Sequence, residues 1–187
     1  MIALWVILGI LAVLLFFFII IYNGLVRLRN RVKNAWAQID VQLKRRYDLI
    51  PNLIETVRGY MKHERETLES VTKARNLAQQ LSGGSVGARS KAETELSSAL
   101  ARLLVVVEAY PDLKANQNFL ALQEELTSTE NKISFSRQFY NDSVLRLNNQ
   151  TQMFPSNIVA SMTSFKAEEF FEVTVAEERE APKVSFA

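Results

Sequence analysis

Cysteine is absent from this 187-residue chain, and histidine occurs only once. The lack of cysteine excludes Cys-based catalysis and lipoprotein processing. The single His63 has Thr67 where a zinc-protease helix needs a second His, and Tyr60 where a di-iron bundle needs Glu. The glycine-rich stretch Gly83–Gly87 lacks the Lys-Ser or Lys-Thr of a P-loop, and no serine lies in a Gly-x-Ser-x-Gly context. We therefore predict no catalytic, cofactor-binding or metal site, and no enzyme.

Charge and proline are absent from the first 22 residues, MIALWVILGILAVLLFFFIIIY. A helix from Ile2 to Tyr22 would be roughly 31 Å long at about 1.5 Å per residue, close to the hydrocarbon thickness of about 30 Å. A cleaved signal peptide would need a basic start, a shorter apolar run and an Ala-x-Ala-like site, and none of these is present. The sequence thus predicts a retained transmembrane anchor over residues 1–22.

Basic side chains follow this apolar run directly. Short flanks rich in Lys and Arg stay in the cytoplasm and bind anionic headgroups, while Trp and Tyr settle at membrane interfaces. The predicted membrane-interface residues are Trp5, Tyr22, Arg27, Arg29, Arg31 and Lys33. We expect a single pass with the N-terminus outside and the rest of the chain in the cytoplasm.

The net charge is only +2, but its distribution is uneven. Residues 23–62 carry nine Lys or Arg against three Asp or Glu, and residues 167–187 carry six Glu against Arg179 and Lys183. Each cation near an anionic leaflet contributes about 1 kcal/mol of attraction. Because the basic stretch begins at the membrane and no recognition module accompanies it, we predict an anionic lipid bilayer as partner and no nucleic acid.

Hydrophobic spacing predicts an all-α fold. The first stripe is Leu25, Leu28, Val32, Ala35 or Trp36, Ile39, Leu43 and Tyr47. It continues the anchor helix, with a bend expected at Gly24 and a break or kink at Asp48–Pro51, where Asp48 would cap a second helix that ends at the glycine-rich turn 82–87.

Two further helices complete the predicted domain. The third would begin near Ser90 with Glu93 as its capping-box partner, and the fourth would run from about residues 112–115 to Gln152. Residues 156–164 suit one or two helical turns, and residues 170–175 alternate as a strand or extended arm does. Short turns imply an antiparallel bundle of three to four long helices over 23–165, between the anchor at 1–22 and an acidic, aromatic arm at 166–187.

The densest cluster of aromatic, basic and polar residues is AWAQIDVQLKRRYDLIPNL at 35–53. Together with YNGLV at 22–26, KAEEFF at 166–171 and APKVSF at 181–186, it resembles the LemA family of bacterial membrane proteins. The resemblance implies one N-terminal transmembrane helix in the bacterial cytoplasmic (inner) membrane, a short external N-terminus and a cytoplasmic antiparallel helical bundle. It implies no enzyme activity, cofactor or catalytic residue.

Two readings of the 35–53 block stay open. It could be a helix junction that requires close packing, or a surface for a partner or a second copy, since Trp, Tyr and Arg favour interfaces. Asp40, Lys44, Arg45, Arg46 and Asp48 would form i,i+4 pairs or bind a partner. The predicted packing or partner residues are Trp36, Ile39, Leu43, Tyr47, Asp48 and Pro51.

The C-terminal arm is too apolar to remain uncovered, so it should attach to a neighbouring subunit or fold back on its own helices. Its predicted contact residues are Phe170, Phe171, Val173, Val175, Val184 and Phe186. The leading functional hypothesis is a non-enzymatic, membrane-anchored scaffold that forms a homo-oligomer. The alternatives are an adaptor or regulator of a membrane protease or sensor kinase, and a lipid-binding protein that remodels membranes.

Overall fold

The computed structural model describes residues 1–61 and 63–172, and within them the chain is helical with no β-strand. The helices are α1 (Ile2–Arg58), α2 (Arg65–Gln80), α3 (Val86–Val107), α4 (Pro111–Lys114), α5 (Gln117–Gln152) and α6 (Ser156–Met162), with a 3₁₀ turn at Leu81–Gly83. The predicted all-α class, with an apolar N-terminal helix followed by further helices, is confirmed.

Internal contacts group the chain into two compact units. Unit 1 comprises residues 1–39 and 135–170, and unit 2 comprises residues 40–134 together with the chain from Phe171 onward. Helices α1 and α5 each contribute residues to both units. Unit 1 therefore combines the predicted anchor with the first part of the basic stretch and the end of α5.

Helix α1 runs for 57 residues without interruption. Its N-terminal part is exposed, and it is long and apolar enough to cross a membrane. Asn23 and Gly24 lie inside the helix, so no linker separates the apolar part from the packed part. The predicted stripe of α1 is buried from Leu25 to Tyr47, apart from the half-buried Leu28 and Trp36.

Of the break or kink predicted at Asp48–Pro51, the break is wrong, because α1 continues through Pro51 to Arg58. A proline inside a helix leaves the carbonyl four residues earlier without its N–H donor. That carbonyl belongs to Tyr47, and the Nε of Arg75 on α2 donates to it at 2.7 Å. Since a side chain from another helix replaces the missing donor, the helix is not forced to end there.

The chain leaves α1 after Arg58 instead, at Gly59, and the Val57 carbonyl accepts from the N–H groups of both Tyr60 and Met61 at 3.0 Å. Glycine is a weak helix former, which favours an end at this point. Met61 is buried, and the Tyr60 hydroxyl accepts a hydrogen bond from the Asn116 side chain at 3.0 Å. Helix α2 then packs against α3.

The start predicted for the third helix near Ser90 is also wrong. Helix α3 begins at Val86, and its N-cap is Ser85, whose Oγ accepts from the Ala88 N–H at 3.3 Å. Ser90 and Glu93 match the capping-box spacing but lie inside the helix and are buried. Both side chains have long-range partners, which the local pattern could not reveal.

The fourth helix differs from the prediction at its start, because a separate α4 covers Pro111–Lys114 and α5 begins at Gln117 and not at residues 112–115. Helix α5 ends at Gln152 as predicted, and α6 supplies the short helix expected after Pro155. The buried residues of α5 are Phe119, Thr129, Ile133, Tyr140, Ser143, Val144, Leu147 and Asn148. In unit 2, the Arg45–Glu125 pair and the Tyr60–Asn116 hydrogen bond show that α1 and α5 run in opposite directions.

Candidate functional site

The predicted membrane-interface residues lie on the part of α1 that belongs to unit 1. Trp5 is 71% exposed within the apolar part, and the four basic residues from Arg27 to Lys33 are exposed as well. Two of the cations stack on aromatic rings: Arg29 lies 4.8 Å from the ring centre of Phe165, and Arg31 lies 5.2 Å from that of Phe139. A guanidinium on a ring face keeps its in-plane N–H donors available for anions.

Tyr22 marks the end of the apolar run, and its ring packs edge-on against Phe165 at 6.2 Å. Phe165 follows α6, where Ser164 adopts a left-handed conformation with φ 57°. The Phe165 N–H returns to the Ala160 carbonyl at 2.9 Å, which is the bond of a Schellman cap. This turn holds the end of α6 beside the last turns of the apolar segment.

The 35–53 block divides between the two units. In unit 1, the half-buried Trp36 packs on Tyr140 with ring centres 5.2 Å apart, and Ile39 is fully buried. In unit 2, Leu43 and Tyr47 are buried, whereas Asp48 and Pro51 are exposed.

The centre of unit 2 is a buried ion-pair network that sequence reasoning missed. Arg46 is 1% exposed, and its Nη2 donates to Glu93 Oε2 at 2.6 Å. Its Nη1 donates to Ser97 Oγ at 3.1 Å and also to Glu130. Glu93, which is 0% exposed, accepts at its other oxygen from the Tyr47 hydroxyl. Three helices, α1, α3 and α5, thus meet around one guanidinium.

A second buried cation lies on α3. Arg89 pairs with Asp40 of α1 at 2.5 Å, and its Nη1 also donates to the Ser82 carbonyl at 3.0 Å. Removing charges from water is costly, and only good geometry with further hydrogen bonds offsets that cost. Each guanidinium has an ion pair and at least one further hydrogen bond, which partly offset this cost, although the buried Nε of Arg46 has no partner among the described residues. The two networks connect the helices of unit 2.

Chemically, the Arg46 network is suited to holding structure and not to proton transfer. Both Glu93 oxygens accept hydrogen bonds from side chains of α1. Burial and the hydrogen bond to Glu93 raise the pKa of Tyr47 well above 10, so its hydroxyl stays protonated as a donor. Among residues 1–61 and 63–172, no group of three or more His, Asp or Glu side chains is placed to hold a metal ion.

A groove of about 290 Å³ opens next to this network. Its polar edge is formed by Arg46, Ser97 and Glu130. Its apolar lining comes from α1, α3 and α5 and includes Leu53, Leu100, Leu104 and Leu126. It is a concave surface with one charged edge, within unit 2.

The described part of the predicted arm is held by α5 and α3. In unit 1, the Asn148 side chain forms two hydrogen bonds with the Glu168 backbone at 2.9 and 3.0 Å, and the Tyr140 hydroxyl donates to the Glu169 carbonyl at 2.9 Å. In unit 2, Ser90 donates to the Glu172 carbonyl, and Phe171 is 2% exposed.

Within the predicted arm, Phe170 is exposed, unlike Phe171. The other predicted arm residues, Val173, Val175, Val184 and Phe186, lie outside the described residues. Residues 168–172 therefore contact helices of the same chain. The predicted contact with a neighbouring subunit stays a prediction for residues 173–187.

Some signal for the missed residues was present. Glu93 comes three residues before the buried Leu96, and Asn148 comes four residues after the buried Val144, so both have the spacing of residues that face a core. Burial alone does not reveal their partners, because Arg46 and Glu93 are 47 positions apart in sequence.

The fold and these sites define a class: an all-α protein whose first helix is apolar enough to cross a membrane and continues directly into packed helices. The chain belongs to the LemA family, whose family model matches residues 35–186. The resemblance read from the sequence is thereby confirmed, and family membership together with the apolar helix indicates a membrane-associated protein.

Three relatives illustrate the range of the similarity. Protein LemA of Metamycoplasma hominis is 30% identical over 155 residues, covering 81% of this chain and 69% of that protein. Magnetosome protein MamQ 2 of Paramagnetospirillum magneticum is 23% identical over 175 residues, covering 81% of this chain and 64% of that one. Magnetosome protein MamQ of Magnetospirillum gryphiswaldense is 22% identical over 174 residues, with 80% and 64% covered. The chain thus spans just under two thirds of the magnetosome proteins.

Proposed function

We propose that this protein is a non-enzymatic, membrane-anchored helical scaffold that self-associates at the bacterial cytoplasmic membrane. The observation that carries the proposal is the unbroken helix α1, which joins the apolar segment to the packed helices without a linker. A flexible tether would let the helical part move freely near the bilayer. A continuous helix instead connects the apolar segment rigidly to the packed residues of unit 1, as a scaffold requires.

The basic flank supports a single pass with the N-terminus outside and the helical part in the cytoplasm. Arg27, Arg29, Arg31 and Lys33 are exposed directly after the apolar run, and cations in such a flank resist translocation. They also attract anionic lipid within about a Debye length of the surface, so the bilayer is the first partner.

The sequence of residues 173–187 supports self-association. It carries Glu177, Glu178 and Glu180 beside the apolar Val173, Val175, Val184 and Phe186. Unit 1 of a second copy offers charge complementarity, with seven Lys or Arg against three Asp or Glu. Complementary charge guides docking more than it strengthens it, and the apolar side chains supply the anchoring contacts.

The test is the size of the full chain in native nanodiscs, measured by mass photometry. We expect a defined particle of two or more copies. Truncation after Glu172 should reduce it to one copy with the helical circular-dichroism signal unchanged, since Phe171 and the Ser90–Glu172 hydrogen bond are kept. A matched pair separates contact from charge: Val184→Ser with Phe186→Ser should weaken the assembly, and Lys183→Gln should not.

One observation favours a second function, an adaptor for a membrane protein such as a protease or sensor kinase. The groove beside Arg46 and Glu130 is concave and mostly apolar, as partner-binding surfaces are at their centre. A particle with a single copy of the full chain would contradict the scaffold and leave the adaptor as the better account.

A further inference from the structure

A row of apolar side chains on unit 1 is not covered by the rest of the described chain. In the turn between α5 and α6, Met153 is exposed and Phe154 is 80% exposed. On α6, Ile158 and Met162 are exposed as well, and their spacing of four places them on one helix face. We call these four residues the α6 ridge. Several exposed apolar side chains close together in the chain, as here, mark a contact with a protein or a membrane.

The opposite side of α6 faces the protein interior, because Ser156, Val159 and Ala160 are buried. The short helix is therefore held in place by its inner face while the ridge points outward. Its C-terminal turn is fixed as well, through Phe165 against Tyr22 and Arg29. The ridge is a positioned surface of unit 1.

Its position along α1 matches the end of the apolar run. Trp36 packs on Tyr140, which sets the two helices at a common level. At 1.5 Å per residue, the length of α1 between Trp36 and Tyr22 is about 21 Å. The length of α5 between Tyr140 and Gln152 is about 18 Å. The turn after α5 thus reaches the level of residues 22–25, as the Tyr22–Phe165 contact requires.

Charge around this level is positive. Arg27 and Arg29 are exposed on α1, and Lys166 is exposed next to Phe165. The nearest acidic residues along the chain, Glu168 and Glu169, follow α5 back toward Asn148 and Tyr140, away from the α6 turn. Cations above an apolar ridge are the pattern of an interfacial amphipathic element on an anionic membrane.

We infer that the α6 ridge is a second membrane contact, which enters the interfacial layer of the bilayer beside the spanning part of α1 while Arg27, Arg29 and Lys166 bind anionic headgroups. The inference rests on the membrane anchor of the proposed function. The ridge lies at the level where the apolar segment ends, and the charge around it is positive. For these two reasons we assign the ridge to lipid and not to a second protein. Two contacts, one through the bilayer and one on it, would fix the rotation of α1 about its axis.

The test uses the full chain in vesicles made of equal parts phosphatidylcholine and phosphatidylglycerol. Because the chain has no cysteine, a single introduced cysteine can carry an environment-sensitive fluorophore. Three labelled variants are compared: Ile158→Cys on the ridge, Val13→Cys in the apolar run, and Val105→Cys, an exposed apolar position on α3 in unit 2. Lipids with a spin label on the acyl chain quench only fluorophores that reach the acyl region.

We expect blue-shifted emission and loss of fluorescence at Ile158 and Val13, and neither at Val105. Quenching at Ile158 should weaken in pure phosphatidylcholine or when Arg27 and Arg29 are both changed to Gln. Quenching at Val13 without quenching at Ile158 would overturn this inference and leave the anchor standing. A blue shift at Ile158 without quenching would overturn it too, by assigning the ridge to a protein surface. No quenching at Val13 would overturn the anchor and this inference together.

Discussion

In unit 2 the guanidinium of Arg46 is almost fully buried and is bonded by Glu93, Glu130 and Ser97. In unit 1, by contrast, the guanidinium groups of Arg29 and Arg31 lie at the surface over phenylalanine rings. Overall charge differs in the same way. Residues 40–134 carry 13 Lys or Arg against 13 Asp or Glu, and unit 1 carries seven against three. Unit 2 uses charge internally to fix helix packing, and unit 1 leaves cations available for an anionic surface.

The largest expected effect tests whether the buried ion pairs of unit 2 stabilise the packing of its helices. Glu93→Ala leaves Arg46 buried with one carboxylate fewer and removes the acceptor of Tyr47, which should cost about 3–5 kcal/mol. Hydrogen exchange of the full chain in nanodiscs should show faster exchange in α3. Glu125→Ala, which breaks only the exposed pair with Arg45, should cost less than about 1 kcal/mol. Equal effects of the two variants would remove the distinction between buried and exposed pairs.

The next effect concerns the aromatic core of unit 1. Trp36→Ala removes a half-buried ring packed on Tyr140 and should cost roughly 2–3 kcal/mol, below the range for a fully buried ring. Exchange should accelerate in residues 135–150 of α5. Val41→Ala, at an exposed position of the same helix, is the control and should change little. An unchanged exchange pattern for Trp36→Ala would mean that this ring contributes little to unit 1.

A smaller effect tests how α1 remains helical at Pro51. Arg75→Ala removes the donor to the Tyr47 carbonyl and should cost about 1–2 kcal/mol. In a Pro51→Ala background the new N–H can satisfy that carbonyl, so the same Arg75→Ala change should cost measurably less. Urea unfolding of the four chains gives the coupling energy. Purely additive effects would show that Arg75 does not compensate for the proline.

The smallest effect at neutral pH concerns Tyr140. Burial, followed by the charges of Glu168 and Glu169, raises its pKa from 10.0 to about 12. Its folded pKa lies above the unfolded value, so the stability it contributes is complete below pH 10 and is lost as the pH rises through 12. Tyr140→Phe should make the alkaline decline of the melting temperature less steep. An identical decline in both chains would exclude this contribution.

Much of the fold followed from periodic apolar residues. The stripe of α1 was readable because burial in long helices repeats every three to four residues. Positions set by distant partners were not readable. Pro51 predicted a break because its replacement donor, Arg75, comes from another helix. Ser90 and Glu93 predicted a helix start because their spacing fits a cap, although their side chains bond to Glu172, Arg46 and Tyr47.

The candidate sites divide in the same way. Arg27, Arg29, Arg31 and Lys33 were predicted from their distance to the apolar run, and the structure shows them exposed, while their role at a membrane interface stays a prediction. Arg46 was expected to form local i,i+4 pairs or to bind a partner, yet its carboxylate partners lie in the same chain, 47 and 84 positions away. Sequence spacing reports neighbours on one helix, whereas a buried network is defined by side chains from several helices.

The proposed scaffold requires that the apolar part of unit 1 lies in the membrane and that the helical part lies on the cytoplasmic side. In bacterial cells that express the full chain, the most direct measurement is labelling of single introduced cysteines with a membrane-impermeant maleimide. We predict that Ile2→Cys is labelled in intact cells, and that Val105→Cys, exposed on α3, is labelled only after lysis. Labelling of Val105→Cys in intact cells would contradict the proposed orientation and, with it, the scaffold at the cytoplasmic face.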